Sequence, residues 1–111
     1  MNIYGFDEYQ QETVRTAKFP REHAATYLTL GLASEAGEVA GKLKKIIRDN
    51  NFEIGDKEKE QIVAELGDVL WYLSQLALEL DVTLSHVATK NIEKLNDRVS
   101  RNVISGDGDD R

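Results

Sequence analysis

Two stretches thirty residues apart carry one apolar pattern, and that pattern limits what this chain can become. At about 100° per residue, with Glu35 as zero, Leu32, Ala36, Val39, Ala40, Leu43, Ile46 and Ile47 fill one sector of a helix. With Glu65 as zero, Ile62, Leu66, Val69, Leu70, Leu73, Leu76 and Ala77 fall at the same offsets. Both stretches are therefore amphipathic helices presenting equivalent faces. Acids recur equivalently too, since Glu38 and Asp68 follow their references by three, and Gly37 and Gly67 by two. Two such faces are expected to pack together, with the glycines admitting a neighbouring helix closely enough to bring the edge acids together at one end of the seam.

Helix boundaries follow from local signals. Pro20 separates a first helix, about residues 6 to 18, from a long second helix that starts near Arg21 or Glu22 and runs to about Asp49. The stretch "DNNFEIGD" reads as a loop, with Asp56 as N-cap of a third helix ending near Leu80. "LDVT" is a tight connection, and Thr83 caps a fourth helix through about Ser100. Strand-like alternation appears nowhere at useful length. The expectation is an all-α fold, a compact four-helix bundle with two long central helices, completed by oligomerisation. Residues 1–104 form its domain, and the Gly- and Asp-rich tail "SGDGDDR", 105–111, leaves helical structure.

Glu35/Glu38 and Glu65/Asp68 are pairs at i and i+3, but so are Glu53/Asp56 and Asp107/Asp110, and spacing alone carries nothing. What distinguishes the first two pairs is their position beside a core-facing sector of a long helix. If the helices pack through those sectors, four carboxylates converge and repel unless a cation neutralises them. All-oxygen ligation selects a hard ion, Mg²⁺ or Mn²⁺. A redox carboxylate bundle would want Glu-x-x-His pairs, and neither His23 nor His86 stands three after a glutamate. The bland alternative is that these acids form solvated helix faces. On the fourth helix Lys90, Lys94 and Arg98 make a cationic stripe with Asn91 beside it, next to an apolar sector of Leu84, Ala88, Ile92, Leu95 and Val99. Its bland alternative is a solvated stripe suited to a helix C-terminus. Carboxylates, a hard metal and cations together are the means of phosphate chemistry.

Composition removes several classes. A formal charge of −6 disfavours a nucleic-acid backbone binder. No apolar run spans a bilayer, and "MNIYGFDEYQ" lacks the regions of a signal peptide, so a cytoplasmic protein with no membrane partner is expected. With no cysteine there is no thiolate site and no disulfide framework.

"GLASEAGEVAGKLKK", followed by "ELGDVLWYLSQLA" and "NIEKLNDR", resembles the MazG-like nucleoside triphosphate pyrophosphohydrolases of the all-α NTP pyrophosphatase superfamily, over residues 22 to 100. The core of the resemblance is Glu-x-x-Glu, a spacer and Glu-x-x-Asp, met by Glu35, Glu38, Glu65 and Asp68. It implies Mg²⁺-dependent hydrolysis of nucleoside triphosphates between the α and β phosphates, giving the monophosphate and pyrophosphate. Glu35, Glu38, Glu65 and Asp68 would be metal ligands, with Glu35 or Glu38 also orienting or deprotonating the attacking water. Tyr72, Asn91, Lys94 and Arg98 would contact the nucleotide and its phosphates. Similar proteins are homodimers or homotetramers, often with parts of each site supplied by a second subunit. "SGDGDDR" is similar to a Gly-x-Gly-Asp-x-Arg ending in some of them, implying a tail that folds over a site with Arg111 as a cation. Trp71 is expected to pack against another helix or subunit. The competing class is a non-catalytic helical regulatory or interaction module that retains the fold.

Overall fold

The computed structural model describes residues 2–111, and among them there is no strand. Four helices follow one another: α1 (Phe6–Thr13), α2 (Ala24–Asp49), α3 (Asp56–Glu79) and α4 (Leu84–Ser100). The all-α expectation and the two long central helices are borne out. No helix among the described residues is long and apolar enough to cross a membrane.

Three boundaries differ from the sequence reading. α1 stops at Thr13 and tightens into a 3₁₀ turn, Val14–Thr16, instead of continuing to residue 18. The hydroxyls of Thr13 and Thr16 donate to the carbonyls three residues back, of Gln10 and Thr13, drawing the end of the helix tighter. α2 begins at Ala24 rather than Arg21 or Glu22, because His23 before it takes a left-handed φ of 64°. Asp56 is the first residue of α3 and not its N-cap; Gly55 holds that position without a side-chain bond, and Asp56 and Glu58 complement the helix dipole from within the first turn.

The α3–α4 connection is set by two caps. Asp81 adopts φ 59°, with its N–H on the Leu78 carbonyl and that of Val82 on Ala77, a Schellman ending made without glycine. Thr83 then caps α4 as expected, its hydroxyl accepting from the N–H of His86 at 3.1 Å. The same ending recurs after α4, with Asn102 at φ 59° and Val103 N–H on the Arg98 carbonyl.

α2 and α3 form an antiparallel hairpin, the most extensive contact in the molecule. Asn50 bonds Glu58 at 2.8 Å beside the turn, while Gly31 meets Tyr72 far from it. α1 lies on α3 and α4 and is fastened there by a set of buried and half-buried hydrogen bonds. Gln10, 1% exposed, donates to the carbonyls of Ser74 and Val82 and accepts from the N–H of Leu84. Gln75 donates to Thr13 at 2.8 Å, and Asp7 accepts from both the backbone N–H and the hydroxyl of Ser85. Those two bonds hold the Asp7 carboxyl below its ordinary pKa, the hydroxyl contributing most.

Among the described residues the buried apolar set is small: Ala24, Leu28, Ile46, Ala77 and Leu84. Of the expected sectors, Leu43, Ile47 and Leu66 are exposed. The radius of gyration is 16.8 Å, against about 13 Å for a compact domain of this length. A single chain is thus an open four-helix arrangement.

Candidate carboxylate site and its aromatic wall

The hairpin register brings three of the four expected acids together. Glu35 on α2 and Glu65 and Asp68 on α3 each offer a carboxylate oxygen within 4.8 Å of the others. Glu35 and Glu65 are half-buried and Asp68 is exposed. They meet near the middle of both helices, not at one end of the seam. Glu38, one turn beyond Glu35, lies outside this group, close enough only to add its charge to the field at Glu35.

The electrostatics are those of an unneutralised acid cluster. Burial pushes the Glu35 carboxyl above its ordinary pKa, and the charges of Asp68, Glu65 and Glu38 push in the same direction. A divalent cation would reverse that balance. Opposite oxygens around a Mg²⁺ ion stand roughly 4.2 Å apart, so a cluster of this size would hold one such ion after small side-chain rotations. A donor set of carboxylates alone, with no sulfur or imidazole, fits a hard ion.

Aromatic side chains wall one side. Glu35, Asp68, Trp71 and Tyr72 line a cleft of about 300 Å³. The Tyr72 ring stands edge-on to Trp71 at 5.0 Å between centroids and tilted to Tyr27 at 6.4 Å, and Tyr27 stacks on Phe19 at 5.4 Å. Trp71 donates its indole N–H to Thr16 at 2.7 Å, tying the turn after α1 to this wall. Trp71 therefore does pack, as expected, and also faces the acids. Burial raises the Tyr72 phenol above its ordinary pKa, with Tyr27, Glu35 and Asp68 adding to the rise. Tyr9, on α1, is raised by burial and then by the charge of Asp68, so the field of the acids reaches α1.

The close approach that makes this geometry is at Gly31. A Cβ there would lie 2.0 Å from Cε1 of Tyr72, so only glycine lets the ring lie against α2. At Gly37 and Gly67, where close approach was expected, no described atom of a neighbouring element comes within 4 Å of where a Cβ would lie, and that expectation is corrected within the chain. Gly31 and the Tyr27–Phe19 stack escaped the sequence reading. Their traces in the sequence were Phe19 in "TAKFP", Tyr27 beyond Pro20 and Gly31 at the head of "GLASEAGEV".

Asn91, Lys94 and Arg98 do not join the acids within one chain. Asn91 and Lys94 line a separate concavity on α4 with His86, Val87, Lys90 and Glu93. Arg98 is buried rather than part of an open stripe, and bonds the tail at Asp109. Arg111 is turned inward, donating to the carbonyls of Val103, Ile104 and Gly108.

Residues 23–102 match the MazG nucleotide pyrophosphohydrolase domain family. The chain is also 45% identical to the Gene 37 protein of Mycobacterium phage L5, over 95% of this chain and 97% of that one. No solved structure matches it.

Proposed function

Since the chain belongs to the MazG nucleotide pyrophosphohydrolase domain family, we propose that it hydrolyses nucleoside or deoxynucleoside triphosphates of the cytoplasmic pool between the α and β phosphates, with Mg²⁺ as cofactor and Mn²⁺ as a substitute. The observation that carries this reading is the convergence of Glu35, Glu65 and Asp68 beside Tyr72 and Trp71. Glu35, Glu65 and Asp68 hold the ion, and Glu38 joins them by a side-chain rotation. A divalent ion held there supplies neutralising charge to the triphosphate and makes a water more acidic. Glu35 carries the proton chemistry, as a carboxylate of the cluster that lies beside the ion and within reach of the water it activates. Glu38 is the alternative base. Tyr72 contacts the nucleoside, with Trp71 and Tyr27 completing an apolar wall on which a base can lie.

Lys94, Arg98 and Asn91 take the phosphate oxygens. Because they stand apart from the acids of their own chain, a homodimer or homotetramer in which α4 of one copy serves the acids of another reconciles the two halves of the site. The family resemblance points the same way.

Pyrophosphate release from a panel of ribo- and deoxynucleoside triphosphates, with Mg²⁺, with Mn²⁺ and with chelator, tests the reaction. Release is expected only with metal. Glu35→Gln, Glu38→Gln, Glu65→Gln and Asp68→Asn should each lower it by roughly 100-fold or more, since even outer partners of a metal site are worth 10–100-fold. Circular dichroism should be unchanged, the acids lying on exposed or half-exposed helix faces. Full turnover in Asp68→Asn would remove the site, and tight nucleotide binding with no pyrophosphate release from the unmutated chain would favour a regulatory module.

A further inference from the structure

Arg98 is a charged group almost without access to water, its side chain 6% exposed. One nitrogen, Nη2, donates to the backbone carbonyl of Asp109 at 2.7 Å and approaches its carboxylate at 3.4 Å. Nε is buried and has no partner among the described residues. Lys94 reaches the same carboxylate oxygen with Nζ at 3.3 Å. Among the described residues, Asp109 is the one acid within ion-pair distance of either cation. The arrangement is unequal: the guanidinium is buried, while the Asp109 side chain is 85% exposed and belongs to a segment outside every helix.

The tail is shaped to deliver that carboxylate. Gly106 and Gly108, at φ 129° and 84°, let the backbone double back. Arg111 then closes the loop on the carbonyls of Val103 and Ile104 at 3.2 and 3.0 Å and on that of Gly108. Its guanidinium is occupied within the loop, so the charge that the tail offers to α4 is negative.

We infer that Lys94 and Arg98 form an anion site filled at rest by the chain's own Asp109, so that a phosphate-bearing ligand and the tail compete for the same two cations. Chemistry favours the incoming ligand. Asp109 engages Arg98 through Nη2 alone, whereas a phosphate can take Nε and Nη2 together in the parallel fork that guanidinium and phosphate prefer. It also carries more charge than a carboxylate and satisfies the orphaned Nε–H, whose burial without a partner is costly. The ligand class is a diphosphate, either free pyrophosphate or the phosphate chain of a nucleotide; only this last identification rests on the proposed function.

The test uses the full chain without divalent metal. Inorganic pyrophosphate is titrated calorimetrically into the unmutated chain, into Asp109→Asn, and into Asp109→Asn combined with Lys94→Met. Asp109→Asn keeps the backbone carbonyl on Arg98 and should bind pyrophosphate about tenfold more tightly, a gain that the added Lys94→Met removes. Equal or weaker binding by Asp109→Asn overturns the inference. Hydrogen exchange on the unmutated chain provides a second reading that no folding defect can confuse. Residues 103–111 should exchange faster when pyrophosphate or a non-hydrolysable α,β-methylene nucleoside triphosphate is added. Release by the triphosphate alone assigns the site to the nucleotide, release by both assigns it to any diphosphate, and release by neither overturns the inference. An Asp68→Asn chain should still release its tail, so failure of the hydrolytic reading and failure of this one are separable.

Discussion

At Gly31 a hydrogen in place of a methyl group decides where Tyr72 lies. Alanine is the better helix former by about 1 kcal/mol, so on propensity alone Gly31→Ala stabilises α2. Against that, its methyl would sit 2.0 Å from Cε1 and 2.4 Å from Cδ1 of the ring, and overpacking of this kind costs about 1–3 kcal/mol. The steric effect wins. Gly31→Ala should melt at a lower temperature and raise KM for the triphosphate roughly tenfold as Tyr72 swings away from the wall. A higher melting temperature with unchanged KM would mean that the ring does not rest there. Gly37→Ala, which meets open space within the chain, is the matched control. That Gly31 is the contact, and not Gly37 or Gly67, could not be read from the sequence. A glycine says that a methyl is missing, whereas the neighbour that needs the space depends on the register of the hairpin.

At the scale of elements, the central pair was legible and the attachment of the first helix was not. Leu28 and Ile46 on α2 and Ala77 on α3 are buried as amphipathic periodicity demands, and the acids at the edge of that face were legible for the same reason. α1 docks by the opposite rule. Gln10, Thr13, Ser74 and Gln75 are all buried, and polar residues are what a periodicity reading assigns to solvent. Gln10 in particular satisfies three backbone groups at the α3–α4 junction, so it holds α1 and the start of α4 in one piece. Gln10→Leu preserves bulk but strands the Leu84 N–H and the Val82 carbonyl. It should cost roughly 2–6 kcal/mol, at about 1–3 kcal/mol for each of the two buried groups left unpaired. The urea midpoint reads this directly, and a shift within about 0.5 kcal/mol of zero would show that the three bonds carry no stability. The position of the cations on α4 was also beyond reach of the sequence, because the face that α4 turns to α1 and α3 is fixed by this junction.

The whole molecule has more apolar face than one chain can cover. On α2, Ala36, Ala40, Leu43 and Ile47 recur at helical spacing and are all exposed, with Leu43 39% and Ile47 49% accessible. Val63 and Leu66 on α3 are 56% and 50% accessible. Full burial of a large aliphatic side chain is worth about 1.5–3 kcal/mol, so covering what remains of these four gains roughly 3–6 kcal/mol per chain, comparable to the whole stability of a small domain. The proposed second copy would also answer the separation of Lys94 from Glu35 and Asp68. Sedimentation equilibrium at about 10 μM, a concentration at which a micromolar dimer is largely formed, should therefore give a multiple of 12.5 kDa. Leu66→Glu should return the protein to single chains. Leu66 itself lines neither the carboxylate cleft nor the concavity on α4. Loss of pyrophosphate release with loss of association is thus the expected pairing, and a single chain that retains full turnover would require Lys94 and Arg98 to act without a partner, which their absence from the lining of the carboxylate cleft opposes.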